Sequence, residues 1–135
     1  MKEIIPRKKE AEEVRMMAPL VWAYIGDSVY ELFIRTYFVN NTKLNPHKLH
    51  IEGIKYVKAA SQANILKRIY EDLTDEEKDI VRRGRNAKTH HLPKNANVEE
   101  YMYATAFEAL IGYLYLMKKD DRLGEILSFC IEENK

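Results

Sequence analysis

The chain has 135 residues, 46% of them hydrophobic and 32% charged, with a formal net charge of +1. That is one domain's worth of material with enough apolar side chains for a core, which excludes a disordered chain. Cys130 is the only cysteine; this excludes an internal disulfide framework and a Cys-based zinc site, and no apolar run approaches the roughly 20 residues of a membrane-spanning helix.

Five glycines and four prolines leave few helix breakers. Apolar residues recur at helical spacing almost throughout and strand-like alternation is nearly absent, so the expected fold class is all-α, a single helical domain over residues 1–135. Residues 1–15 are charge-dense and read as an N-terminal arm or short solvated helix, not as a signal peptide. With the lone cysteine, this predicts a reducing compartment and a cytoplasmic location, with no membrane partner.

A long apolar helix opens at Pro19 and runs to about Val39, where Asn40-Asn41-Thr42 ends it. Asn45-Pro46 starts the next, with Asn45 as cap and Pro46 in the first turn. This stretch continues to about Leu73, with a break expected near Gly53. Thr74-Asp75-Glu76-Glu77 is a capping box for a helix that fades near Gly84. Residues 85–96 read as a loop. Asn97-Val98-Glu99-Glu100 is a second capping box, for a helix to about Met117, and Asp121 caps a last helix to about Glu133.

Two of these helices carry a carboxylate in apolar surroundings. In the first, Val21, Trp22, Ile25, Val29, Leu32 and Phe33 share one face, and the opposite face holds Leu20, Ala23, Tyr30 and Ile34. A helix apolar on most sides reads as buried, which puts Asp27 in mid-helix and in the interior. Gly26 precedes it. Glycine costs about 1 kcal/mol against alanine inside a helix, so the Gly-Asp pair points to a close approach to the backbone. Between Tyr101 and Met117 the only charged residue is Glu108, and Gly112 follows one turn later.

Buried carboxylates without partners are costly. Each of these two could be met separately by a cation such as Arg35 or by backbone groups. They could share a proton, or they could share a divalent cation. Glu31 and Arg35 are themselves spaced to pair along one helix. His47-x-x-His50 has no accompanying Glu-x-x-His and gives little support to a metal pair. Cys130 reads as a small core residue.

From Ile80 to Val98 there is no Asp or Glu, while Arg82, Arg83, Arg85, Lys88 and Lys94 fall within the window together with His90 and His91. Such a stretch can meet phosphates through Arg and Lys, with Asn86 and Asn95 reaching sugar hydroxyls. The alternative is a solvated loop with ordinary surface charge.

Tyr24-Ile25-Gly26-Asp27-Ser28-Val29 resembles the signature helix of the ribonuclease III catalytic domain, which usually reads Phe-Leu-Gly-Asp-Ser-Val. Ala106-Phe107-Glu108-Ala109-Leu110-Ile111-Gly112 resembles that family's second motif, in the family's order. Arg83-Gly84-Arg85-Asn86-Ala87 and Pro93-Lys94-Asn95-Ala96, with the chain length, are similar to the Mini branch of the family, which lacks the double-stranded-RNA-binding domain. The resemblance covers about residues 15–133. It departs from the full-length family at Leu20, Ala23 and Thr105, where further acids stand.

The resemblance implies an all-α endonuclease domain, a helical bundle that forms a homodimer on double-stranded RNA. Each subunit would cut one strand with Mg²⁺ and leave 5′-phosphate and 3′-hydroxyl ends. Asp27 and Glu108 would be the metal ligands and catalytic residues. Arg82, Arg83, Arg85, Asn86, Lys88, Lys94 and Asn95 would contact RNA. The Mini branch implies precursor large-subunit (23S-type) ribosomal RNA as substrate, with ribosomal proteins as further candidate partners. The alternative is a non-catalytic ribonuclease III-fold RNA-binding or scaffolding protein associated with the ribosome.

Overall fold

The computed structural model describes residues 3–87, 92, 94, 95 and 97–132. Among these residues the elements are α1 (Ala11–Arg15), α2 (Pro19–Asn41), α3 (Pro46–Val57), α4 (Ala59–Ile69), α5 (Asp75–Arg85), α6 (Val98–Leu116) and α7 (Asp120–Glu132), with one 3₁₀ turn at Tyr70–Asp72. None of the helices is long and apolar enough to cross a membrane.

α6 is the axis of the fold, and α2, α4, α5 and α7 pack around it. From Ala104 to Leu114 every residue but one is buried, and the exception is Glu108. The local signals act as expected at several ends. Asn45 accepts from Lys48 N–H at 2.9 Å with Pro46 opening α3. Thr74 and Glu77 form a reciprocal capping box at 3.1 and 2.9 Å. Asn97 accepts from Glu100 N–H at 3.1 Å, which is one half of the expected capping box; the reciprocal bond to the Glu100 side chain is not made. Cys130 is fully buried, and burial pushes its thiol up to about 12.

Several expectations are corrected. The N-terminal stretch is docked rather than solvated: Val14 is fully buried, and its carbonyl accepts from Trp22 Nε1 at 2.9 Å. Arg7 donates to Tyr115 O at 3.1 Å and Asp120 Oδ1 at 2.6 Å. The break between α3 and α4 falls at Lys58, not Gly53. Side chains from α4 meet the carbonyls at the end of α3, Ser61 Oγ to Lys55 O at 2.5 Å and Gln62 Nε2 to Val57 O at 2.9 Å, so the helix can stop there with its last acceptors satisfied. α5 extends through Arg85, past Gly84, which is buried against Ala106 and Ala109 of α6. α7 begins at Asp120, so Asp121 lies within its first turn instead of capping it.

α2 is also not buried all round. Its interior face is Trp22, Ala23, Gly26, Tyr30, Ile34 and Phe38. The other apolar face is open: Tyr24 is 77% exposed, Leu32 62% and Val39 63%. The covered side takes Trp22 from one of the two expected faces and Ala23, Tyr30 and Ile34 from the other, while Leu20 and Leu32 stay exposed, so the position of α6, not the apolar spacing, decides what is covered.

Candidate active site

The site is built on the crossing of α2 and α6. A Cβ on Gly26 would lie 1.8 Å from the carbonyl oxygen of Glu108, and a Cβ on Gly112 would lie 1.8 Å from the carbonyl oxygen of Trp22. No side chain fits at either place, so the two backbones touch there. The close approach expected from Gly26-Asp27 is therefore made by the partner helix. Around it, Trp22 packs edge-on to Tyr113 at 5.2 Å and Tyr30 edge-on to Phe107 at 4.9 Å.

The crossing brings Asp27 and Glu108 together, and their carboxyl groups share a hydrogen bond. They are less enclosed than expected: Asp27 is exposed and Glu108 half-buried, because Asp27 lies at the rim of the α2 face that α6 covers. Burial, then the neighbouring Asp27 charge and the bond to it, push the Glu108 carboxyl up to about 8, against a weaker opposing bond from Gln62. Arg35 is not their counter-ion. It pairs with Glu31 at 3.2 Å, and among the described residues no Lys or Arg pairs with Asp27 or Glu108. Among the same residues no third His, Cys, Asp or Glu joins the two.

Two carboxylates in contact with no cation beside them have two ways to lower their repulsion. Without metal Glu108 holds on to its proton; with metal the same oxygens are ready ligands for a hard divalent cation. The donor set fits such a cation, with most of its coordination left to water.

The positions where the family resemblance expects further acids do not fill the gap. Leu20 is 39% exposed and apolar, Ala23 is buried, and the Thr105 hydroxyl is donated to Tyr101 O at 3.0 Å within its own helix. The polar group that does reach Glu108 is Gln62 of α4, its Nε2 3.4 Å from Glu108 Oε2. Gln62 carries no motif and is separated from Glu108 by 46 positions, so sequence reading had no signal for it.

The ribonuclease III domain model matches residues 20–119, which span both glycines and both acids. The chain belongs to the ribonuclease III family. It is 52% identical over 121 residues to Mini-ribonuclease 3 of Thermoanaerobacter sp. (strain X514), covering 90% of this chain and 85% of that one. It is 44% identical to Mini-ribonuclease 3 of Staphylococcus aureus, covering 91% and 93% of the two chains. A crystal structure of a Fusobacterium nucleatum protein, 36% identical, superposes with a TM-score of 0.81 over 91% of this chain and 98% of that one. The family membership makes this chain a ribonuclease III-type endoribonuclease.

The basic residues expected to meet RNA in this ribonuclease III domain divide into different groups. Arg82, Arg83 and Arg85 lie in the last turn of α5 rather than in a loop. Arg82 pairs with Asp79 at 2.5 Å. Arg83 is turned inward, its guanidinium 4.6 Å over the Trp22 ring and bonded to Arg15 O at 3.4 Å. Arg85 lies 5.3 Å over the Tyr103 ring, with Lys67 of α4 at 5.0 Å from the same ring. Asn86, Lys94 and Asn95 are exposed, and Asn95 has a positive φ of 67°. Lys88 falls outside the described residues.

Proposed function

We infer that the protein is a Mg²⁺-dependent endoribonuclease that hydrolyses double-stranded RNA to 5′-phosphate and 3′-hydroxyl ends. Its setting would be the cytoplasmic maturation of large-subunit precursor ribosomal RNA. The observation that carries this reading is the contact of Asp27 with Glu108 at a glycine-locked helix crossing, with no basic side chain among the described residues to neutralise them.

Asp27 and Glu108 would hold the cation. A divalent ion bound there supplies a water of lowered pKa and neutralises charge on the phosphoryl oxygens. The residues themselves set the geometry: Glu108 is fixed by the backbone contact of α2 with α6 and by Gln62, while exposed Asp27 faces the side from which RNA must approach. In the hydrolysis the water oxygen bonds to phosphorus, the bond from phosphorus to the 3′-oxygen breaks, and a proton ends on that oxygen.

Duplex RNA hides its base edges in a deep groove, so phosphates and 2′-hydroxyls dominate recognition. Arg85, Asn86, Lys94 and Asn95 are the exposed groups best placed to serve, with Arg82 partly neutralised by Asp79. A homodimer supplies the second cut. The uncovered face of α2, with Leu20, Val21, Tyr24, Leu32 and Val39 exposed, is a stripe of apolar side chains suited to a two-fold contact.

Incubation of the purified chain with duplex RNA and Mg²⁺, with and without chelator, tests the reading. Cleavage that needs Mg²⁺ and disappears in Asp27→Asn is the expected result. RNA that is bound but never cut would favour a non-catalytic member of the fold.

A further inference from the structure

Gln62 lies on α4 facing Glu108 and is only 2% exposed. Its amide orientation is set by its partners. Nε2 donates to Val57 O at 2.9 Å and lies 3.4 Å from Glu108 Oε2, and a flipped amide would turn its oxygen toward the Val57 carbonyl, which can only accept. The other amide atom, Oε1, is buried and has no hydrogen-bond partner among the described residues. Buried polar atoms are nearly always paired, and an exception asks what donor it awaits. An apolar residue of similar length would leave no such orphan, so packing alone does not account for a glutamine here.

The neighbouring site lacks oxygens. Two carboxylates occupy only part of a Mg²⁺ coordination sphere, and water takes the rest. Each such water is a strong donor that needs an acceptor. Thr105 is spent on Tyr101, and Leu20 and Ala23 have no side-chain oxygen to offer. The unpaired Oε1 belongs to the same amide that touches Glu108.

We propose that Gln62 is a positioning residue of the carboxylate site, its N–H steadying Glu108 and its orphaned Oε1 accepting from a water carried by the divalent cation. This rests on the reading of Asp27 and Glu108 as cation ligands. Outer-shell partners of this kind typically alter metal affinity by about ten- to a hundredfold.

Mn²⁺ serves as the probe, with the electron paramagnetic resonance signal of the free ion recording its uptake by the RNA-free protein, so that the measurement does not depend on cleavage. Asp27→Asn is expected to abolish the site. Gln62→Met should weaken Mn²⁺ binding about tenfold. Gln62→Glu keeps the shape but puts an oxygen in place of the N–H that steadies Glu108, and it should change the affinity for Mn²⁺. If Gln62→Met binds Mn²⁺ like the unaltered chain, Gln62 is a packing residue and the proposal falls. If Gln62→Met does not fold, Gln62→Glu decides, and unchanged affinity overturns the proposal. A chain with no Mn²⁺ site, or one that survives Asp27→Asn, removes the ligand reading itself, which is a different failure.

Discussion

Gly26 of α2 and Gly112 of α6 stand against each other where the two helices cross, a Cβ on Gly26 falling 2.8 Å from Gly112 N and one on Gly112 falling 2.9 Å from Gly26 N. The same crossing holds the Glu108 carbonyl against Gly26, one residue before Asp27. This backbone contact and the acidic pair are thus one piece of architecture.

Alanine at either glycine should therefore be severe. The obstructing atoms are backbone, which cannot swing aside as a flexible side chain can, so the helices must separate and the core around Trp22 and Phe107 must open. A loss above about 4 kcal/mol is expected for Gly26→Ala and for Gly112→Ala. Denaturant unfolding followed by circular dichroism measures it; near-unaltered midpoints would mean that the crossing is looser than described.

Asp27→Asn and Glu108→Gln separate a ligand role from a structural one by sign. As cation ligands both should lose cleavage by orders of magnitude while retaining duplex binding. Without metal, their stability should be unchanged or raised, since each relieves a repulsion between two carboxyl groups. Members of a buried ion pair would instead lose about 3–5 kcal/mol on substitution. Thermal melts without Mg²⁺, run beside the cleavage assay, distinguish the two outcomes.

The pH dependence of metal-free stability follows from Glu108. Its carboxyl is raised from an ordinary 4.5 to about 8, so between those values the folded chain keeps a proton that the unfolded chain releases. This contribution is full below about pH 4.5 and is lost as pH rises toward 8. The melting temperature should fall across that interval. Glu108→Gln should flatten the fall, and a pH series of melts on both proteins would reveal an identical slope if the assignment is wrong.

The basic residues should not behave alike. Arg85→Ala and Lys94→Ala are expected to weaken duplex binding and to reduce the slope of log K against log salt by about one each. Arg83 covers the Trp22 ring, so Arg83→Ala should destabilise the fold by about 1–2 kcal/mol. Salt titrations of RNA binding, paired with chemical denaturation, assign each residue to one group or the other.

Glu77 is the most buried carboxylate partner of a cation among the described residues. Arg122 clasps it with Nε and Nη2, each at 2.8 Å. Burial is the largest single influence and works against its ionisation, but the bonds from Arg122 and Thr74 together outweigh it and hold the carboxyl below the usual range. Arg122→Met leaves that charge enclosed and unpaired, at a cost of about 3–5 kcal/mol. The loss should diminish below about pH 4.5 as Glu77 takes up a proton, the opposite of the Glu108 trend, and urea midpoints at acid and neutral pH test it.

Much of this molecule is written in short-range patterns. Helix starts at Asn45, Thr74 and Asn97 depend on bonds reaching only three residues ahead, so they are visible in a few letters. Asp27 and Glu108 stand out because each is a charge in an apolar helix, and Gly26 and Gly112 because glycine is disfavoured there. Gln62, Arg83 and the Glu77–Arg122 pair carry no such mark. Their partners lie 46, 61 and 45 positions away, and nothing local distinguishes them from ordinary polar residues of a helix surface.

The sequence by itself determined the helical class, the helix starts at Asn45, Thr74 and Asn97, and the two mid-helix acids that the fold brings together, because those follow from periodicity, from local hydrogen bonding and from the energetic oddity of a charge beside a glycine. The tertiary structure alone decided which face of α2 is covered, that Asp27 sits at an exposed rim while Glu108 is half-buried, and that Arg83 turns inward to Trp22. These outcomes depend on where α6 lies against α2, α4 and α5. That placement comes from the summed contacts of distant segments, the glycine crossing among them, and no single stretch of the chain specifies it.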